Sequence, residues 1–182
     1  MKRSILFFGL LLVVIQSSVA KTIIVDKFGS CQYTTIQGGI NASSAGDTIK
    51  VLPGIYNEAL IINKAVVIQG SGYETTIITS STNPTITMSN GKIIWFAITS
   101  SGGDGAQVSA GTITNCVISG CTGSGIKFPT GSTGSVKNSV IIGNAIYGVR
   151  STSNHGSATN CISRNNGDKD FSHVVGVFQG ST

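Results

Sequence analysis

The chain is poor in acidic residues, and this scarcity restricts its chemistry more than any other feature of its composition. Only seven of its 182 residues carry a carboxylate side chain. They are Asp26, Asp47, Glu58, Glu74, Asp104, Asp168 and Asp170. Reactions that need paired carboxylates, and calcium sites that need six to eight oxygen ligands, are therefore strongly disfavoured. The sequence predicts no catalytic residue, no metal site and no cofactor.

Proline and charge are also scarce, whereas glycine is abundant. The chain has 3 prolines and 24 glycines, and its residues are 10% charged and 40% hydrophobic. The glycines have no three-residue period, which excludes a collagen-like helix, and the many isoleucines and valines exclude a chain disordered by charge. A folded domain rich in β-branched residues is expected.

The one long apolar run lies at the start of the chain. Residues 1–20 have a basic beginning, an apolar run over Ile5–Ile15 and small residues before Ala20. This pattern is typical of a secretory signal peptide cleaved after Ala20. The run is about half of the ~20 residues that span a bilayer as a helix. We therefore expect a mature domain over residues 21–182, secreted to an extracellular or periplasmic space, without a membrane span.

Net charge says little about partners once the signal peptide is removed. Without Lys2 and Arg3, ten basic and seven acidic side chains remain, a net charge of about +3. A protein that binds nucleic acid usually carries a stronger basic excess. The sequence therefore predicts no nucleic-acid partner. The protein is also expected to be a monomer.

Internal repeats dominate the second half of the chain. Segments that start at Thr112, Val136 and Ala158 align with one another. The positions that recur 22 or 23 residues apart are Asn115, Asn138 and Asn160, and then Ile126, Val149 and Phe171. A weaker copy from Ile93 puts Trp95 at the asparagine position and Val108 at the position of Ile126.

Each repeat consists of strand-sized apolar pieces separated by Gly, Asn and Ser. A unit of about 22 residues cannot bury its own apolar face, but a stack of such units can. The repeats therefore predict an all-β fold, a parallel β-helix in which the asparagines form a ladder at a turn; a β-sandwich with chance similarities is the alternative. Ile36 and Ile40 form one helical stripe, which predicts a short capping helix with Thr34 or Thr35 as its N-cap.

The segment Tyr33–Ile78 resembles a known group of proteins. It contains GDTIKVLPGIYNEALII followed by the glycine-rich IQGSG. These stretches are similar to the opening of secreted right-handed parallel β-helix proteins of the pectin lyase-like superfamily, which includes pectin methylesterases. The resemblance implies a right-handed β-helix over most of the mature chain. It does not imply an activity, because one fold supports many chemistries.

The marks that the resemblance leads us to expect of its enzymes are missing. Nothing matches the GTVDFIFG-like segment of pectin methylesterases or the Gly-His-Gly of polygalacturonases; His155 and His173 lie in other contexts. The calcium site of pectate lyases uses several carboxylates on adjacent coils, whereas only Asp168 and Asp170 lie close together here. The mature chain is also short, with room for about seven coils.

The repeat register nevertheless selects one outward face. If Val149 points inward, its neighbours point outward, which stacks Lys127 and Arg150 one coil apart with Asp170 diagonal to Arg150. The resemblance implies that this sheet lines the sugar cleft of family enzymes. The pair is interpreted as a solvated pair relieved by Asp170, as a site for a uronate or sulfated sugar, or as the base of a lyase. Tyr147 is a candidate for stacking on a sugar ring, whereas Trp95 is interpreted as a turn filler.

These observations lead to a functional prediction with one alternative. The chain is expected to be a non-catalytic, secreted β-helix that binds an acidic polysaccharide or contributes to a surface structure. Its predicted ligand-binding residues are Lys127, Arg150, Asp170 and Tyr147. The alternative is a polysaccharide lyase-like enzyme, or a fragment of one, that acts on pectate or another uronate polymer.

The four cysteines are predicted to be reduced, although an exported chain often forms disulfides. Cys116 and Cys161 share one repeat position, but Ser139 lies in the coil between them. Two strand spacings are about 9.6 Å, beyond the ~7 Å that a disulfide spans between Cα atoms. Cys121 belongs to a different position, and Cys31 lies in the N-terminal region.

Overall fold

A computed structural model describes residues 19–180. It contains a parallel β-solenoid with three faces, in which each coil contributes one short strand to each face. A signal peptide is predicted for residues 1–20, and residues 1–18 of it lie outside the described residues. No helix within residues 19–180 is long and apolar enough to cross a membrane.

The strands are assigned to faces as follows. Face 1 contains β1 (Thr22–Val25), β2 (Thr48–Val51), β5 (Val67–Gln69), β8 (Lys92–Ile94), β11 (Thr112–Thr114), β14 (Ser135–Lys137) and the start of β17 (Ser157–Arg164). Face 2 contains β3 (Gly54–Asn57), β6 (Thr76–Thr79), β9 (Ala97–Ile98), β12 (Val117–Ser119), β15 (Val140–Ile142) and the end of β17. Face 3 contains β4 (Leu60–Ile62), β7 (Ile86–Met88), β10 (Ala106–Val108), β13 (Ile126–Phe128), β16 (Tyr147–Ser151) and β18 (Lys169–Ser172). The last strand, β19 (Val175–Gly180), pairs with β17.

Every strand pairs in parallel with its equivalent in the next coil, at intervals of about 22 residues. The predicted right-handed parallel β-helix is thereby confirmed. One detail of the predicted register is wrong: Ile126 pairs with Ala106, not with Val108. That coil has 20 residues, so the residue equivalent to Ile126 is the small Ala106 and not the larger Val108, which lies two residues later. Both side chains point inward, because alternate strand residues share a face.

The core is built from columns of like residues. On face 1 the inward residues of successive strands stack in register. This column consists of Ile23, Ile49, Ile68, Ile93, Ile113 and Val136, of which all but Ile23 have no exposed surface. Burial of each such side chain contributes about 1.5–3 kcal/mol, and parallel strands bring equivalent β-branched side chains about 4.8 Å apart.

The corner between faces 1 and 2 has the same backbone conformation in four coils. Trp95, Asn115, Asn138 and Asn160 have φ values of 66°, 53°, 48° and 51°. We call these four residues the corner column. Asn160 Nδ2 donates a hydrogen bond of 2.8 Å to Asn138 Oδ1, as predicted for an asparagine ladder.

A second asparagine ladder runs inside the solenoid, at the turn that leads into face 3. Asn144, only 1% exposed, accepts a hydrogen bond from the Cys121 N–H at 3.1 Å. Asn166 Oδ1 in turn accepts from the Asn144 N–H at 3.0 Å and from Asn144 Nδ2 at 2.9 Å. Each buried amide therefore satisfies polar groups of the neighbouring coil, which would otherwise cost about 1–3 kcal/mol each.

A seven-residue helix, α1 (Ile36–Ala42), packs against the first coils, as predicted. Thr35 is its N-cap and accepts from the Gly38 N–H at 3.1 Å. The helix approaches the sheet closely at Gly39, where an added Cβ would lie 2.9 Å from Val25 Cγ2 and 3.1 Å from Ile49 Cγ2. Glycine is required there by contact rather than by backbone conformation.

Two charged residues that flank β4 hold the two ends of α1. The Glu58 carboxylate accepts from the Ile36 and Gln37 N–H groups at 2.8 and 2.9 Å. At the other end, Lys64 Nζ donates to the Ile40, Asn41 and Ser43 carbonyls at 2.9, 2.9 and 2.8 Å. The signs match the helix dipole, which favours an anion at the N-terminus and a cation at the C-terminus.

We expect Glu58→Ala and Lys64→Ala each to lower the free energy of unfolding by about 1–3 kcal/mol. Each substitution leaves backbone groups of α1 without the hydrogen-bond partner that the charged side chain provides. The matched controls are Glu74→Ala and Lys50→Ala, at exposed positions, which are expected to stay within about 0.5 kcal/mol of the parent. Urea denaturation measures all four. Equal midpoints for the cap variants and their controls would contradict this account of the cap.

The cysteines are free thiols in the structure, and Ser139 lies between Cys116 and Cys161 in their column. Burial raises the pKa of Cys116 to about 12 and that of Cys121 to about 12, and it also raises the pKa of Cys161. Buried, protonated thiols are poor nucleophiles. Only Cys31, which is half-buried, is accessible.

Alkylation without reductant is therefore expected to add one group to the native protein, at Cys31, and four groups after denaturation. The intact mass of the protein measures both numbers. A loss of two alkylation sites in the denatured sample would reveal a disulfide, and a Cys116–Cys161 bridge in particular would contradict the strand register.

Candidate ligand-binding face

One outward row of side chains runs along face 3. Its members pair in register from strand to strand. In order they are Ile61, Thr87, Gln107, Lys127, Arg150 and Ser172. From Ile61 to Arg150 the row changes from apolar through neutral polar to cationic. It ends at Ser172, which is buried, and none of its positions is acidic.

Lys127 and Arg150 are direct register partners in β13 and β16, as predicted. Both side chains are partly exposed. Like charges directly opposite each other across a strand pair are destabilising. Within residues 19–180 the structure contains a single ion pair, Lys21–Asp47 at 3.9 Å, so neither cation is neutralised by a carboxylate. The pair forms a local positive centre.

The Arg150 guanidinium lies over the Tyr147 ring, with Cζ 5.4 Å from the ring centroid. This is a cation–π distance. The Nε atom of Arg150 is buried and has no hydrogen-bond partner within the described part of the chain. The stacked ring thus orients a guanidinium group that retains donor capacity.

Tyr147 begins β16 and is half-buried. A hydrogen bond to Asp168, followed by the charge of that carboxylate, raises the pKa of the Tyr147 phenol, and the charge of Arg150 opposes the shift. Asp168 was not predicted to act on Tyr147, although it follows Ile146 at the 22-residue interval and its N–H donates to the Ile146 carbonyl at 2.6 Å.

Asp170 lies in the next coil, in register with Gly148, between the pairs Tyr147–Lys169 and Val149–Phe171. Its carboxylate accepts from Asn166 Nδ2 at 2.7 Å. It therefore belongs to the end of the internal asparagine ladder. The structure brings Lys127, Arg150 and Tyr147 together. It holds Asp170 in strand β18 of the next coil, without an ion pair to Arg150.

The described residues contain no group of three or more His, Cys, Asp or Glu side chains that could hold a metal ion. His155 and His173 are both exposed, and Ser172 Oγ lies 3.0 Å from His173 Nδ1. The outward row of face 3 offers two cations and neutral polar groups, and the Tyr147 phenol and the Asp170 carboxylate lie beside it.

Comparison with known proteins connects this fold to pectin-processing enzymes. No protein family and no curated protein matches the chain by sequence. Among solved structures, it is similar to a pectin methylesterase mutant in complex with a hexasaccharide, with a TM-score of 0.58, 15% identity, and coverage of 84% of this chain and 67% of that one. The pectin methylesterase of Erwinia chrysanthemi gives a TM-score of 0.55 and 13% identity over 85% and 67%, and that of carrot 0.50 and 12% over 91% and 90%. The chain therefore shares the β-helix fold of pectin methylesterases, as the resemblance of Tyr33–Ile78 implied.

Proposed function

We propose that face 3 binds an acidic polysaccharide, and that Lys127 and Arg150 contact its carboxylate or sulfate groups. The observation that carries this proposal is the pair of register-matched cations without a carboxylate partner. Two cations held at one strand spacing, about 4.8 Å apart along the solenoid, suit a polymer that presents repeated negative charges.

The position of the Arg150 guanidinium strengthens the proposal. Its Nε atom is buried, but the side chain as a whole is partly exposed, so the two outer nitrogens are the donors that a ligand can reach. Arginine can also bind a carboxylate through two parallel hydrogen bonds. The Tyr147 ring below the guanidinium limits its rotation, so less conformational entropy is lost when a ligand binds.

The fold similarity supports the class of ligand. Two solved structures that this chain resembles in fold are pectin methylesterases, and one of them was solved with a hexasaccharide bound. Pectin is a polymer of uronate units and their methyl esters. The predicted signal peptide over residues 1–20 agrees with such a ligand, because these polymers lie outside the cell; export is part of the proposal.

Binding without catalysis is the reading that the outward row favours. Ester hydrolysis needs a nucleophile and an acid or base near the scissile group, and the row from Ile61 to Ser172 carries no carboxylate, cysteine or histidine. The alternative is a lyase-type elimination in which Lys127 or Arg150 removes a proton beside the uronate carboxylate.

The double variant Lys127→Ala and Arg150→Ala is expected to weaken binding of hexagalacturonate at least about tenfold, because charge-assisted hydrogen bonds contribute about 1.5–3 kcal/mol each. Isothermal titration calorimetry at low and moderate salt measures the loss. The matched control is Lys50→Ala with Lys92→Ala, which removes two exposed cations from face 1. Equal affinity for the parent and the face 3 variant would refute the proposal.

Two further readouts separate binding from catalysis. Ultraviolet absorbance detects the unsaturated uronate that a lyase releases, and methanol release from methyl-esterified pectin detects an esterase. Neither is expected, with or without EDTA. Unsaturated product that disappears in the double variant would establish the lyase alternative in place of simple binding.

A further inference from the structure

Trp95 occupies a position at which the three following coils have asparagine. Ile94 pairs with Thr114, Thr114 with Lys137, and Lys137 with Thr159, so the residues after them stack as the corner column. Trp95 has φ 66° and is 40% exposed. The corner column therefore begins with a partly exposed aromatic ring.

The backbone conformation of Trp95 is unfavourable for its residue type. Asparagine tolerates positive φ, whereas a bulky aromatic residue there is an outlier. Strained residues of this kind persist where the surrounding structure compensates for them, and they concentrate at ligand sites. Burial is the usual compensation, but two-fifths of Trp95 remains in solvent.

The corner column borders an apolar row on the outside of face 2. In this row Ala97, Val117, Val140 and Ile162 pair in register. Asn138, Val140, Asn160 and Ile162 line a shallow groove of about 220 Å³ between the column and the row. No position of the column or of this row is charged, which distinguishes the groove from the cationic pair on face 3.

The amides of the column keep unused hydrogen-bonding capacity. Asn160 Nδ2 donates to Asn138 Oδ1 at 2.8 Å. Within residues 19–180, Asn138 Nδ2 and Asn160 Oδ1 have no further protein partner, and both residues are exposed. The groove thus offers one donor and one acceptor about a strand spacing apart, beside apolar surface.

We propose that the corner column is a binding site for a neutral oligosaccharide. Trp95 stacks on the apolar face of one sugar ring, since aromatic side chains combine a large flat apolar surface with a polar edge. Asn138 and Asn160 bond hydroxyl groups further along the chain, and Val140 contacts its C–H groups. From Trp95 to Asn160 the column extends about 14 Å, three strand spacings, which accommodates a short oligosaccharide.

This site is separate from the proposed acidic-glycan site. The corner column lies between faces 1 and 2, whereas Lys127 and Arg150 lie on face 3. Lack of charge selects uncharged sugars at the first site, and the two cations select acidic sugars at the second. Each site can therefore fail its test independently of the other.

Trp95 is the one tryptophan of the chain, so its fluorescence reports directly on the site. Titration of the full-length secreted protein with β-linked hexasaccharides of glucose, xylose, mannose and galactose is expected to produce a saturable change in emission with at least one of them. Hexagalacturonate is the charged comparison and is expected to leave the emission unchanged. The absence of a response to all four neutral probes would overturn the proposal.

Trp95→Asn is the decisive variant, because it continues the column with the residue that the other coils use. For this variant, calorimetry is expected to show at least a tenfold loss of affinity for the neutral hexasaccharide that changes the Trp95 fluorescence of the parent. Its affinity for hexagalacturonate is expected to be unchanged. Trp95→Gly, which also adopts positive φ readily, is expected to show the same loss.

Unaltered neutral-sugar binding in Trp95→Asn would overturn the proposal. Asn138→Ala with Asn160→Ala tests the amides while the tryptophan reporter is retained, and a weaker fluorescence response is expected. Lys127→Ala with Arg150→Ala is the reciprocal control, and it is expected to retain the neutral-sugar response in full.

Discussion

In-register stacking of parallel strands is the constraint on which the rest of the structure depends. Once coils repeat at about 22 residues, each residue lies about 4.8 Å from its equivalent in the next coil, and all equivalents must share one backbone conformation. At the corner column this conformation has positive φ, which explains the asparagines there. Asn144 and Asn166 lie at equivalent turns of successive coils. There the side-chain oxygen of Asn166 accepts hydrogen bonds from the backbone N–H and the side-chain amide of Asn144.

A stack needs a different solution at its first coil, which has no preceding coil to satisfy it. Here α1 covers that end. Glu58 accepts hydrogen bonds from N–H groups at the start of α1, and Lys64 donates to carbonyls at its end. These are two of the few charged residues with several backbone contacts. The scarcity of charge in the sequence thus does not mean that charge is unimportant, because the charges present complete the hydrogen bonding where the repeat cannot.

The sequence predicted the features that the repeat imposes and missed those that depend on side-chain direction. Asn115, Asn138 and Asn160 reveal the coil length, and with it the fold and the Lys127–Arg150 pair, because register follows from the repeat alone. The pairing of Ile126 with Ala106 was missed, since alanine gives a weak apolar signal. The bond from Asn166 to Asp170, and the bond between Asp168 and Tyr147, depend on turn geometry that no periodicity encodes.

Alternation of side chains separates stability from recognition in this fold. Inward positions form the isoleucine columns, while outward positions and corners vary without disturbing the stack. A face can therefore acquire a cationic pair at two coils, as face 3 does, at the cost of local repulsion. A corner can likewise replace asparagine by tryptophan at one coil, at the cost of backbone strain. Both departures from the repeat change the chemistry of the surface and leave the inward columns intact.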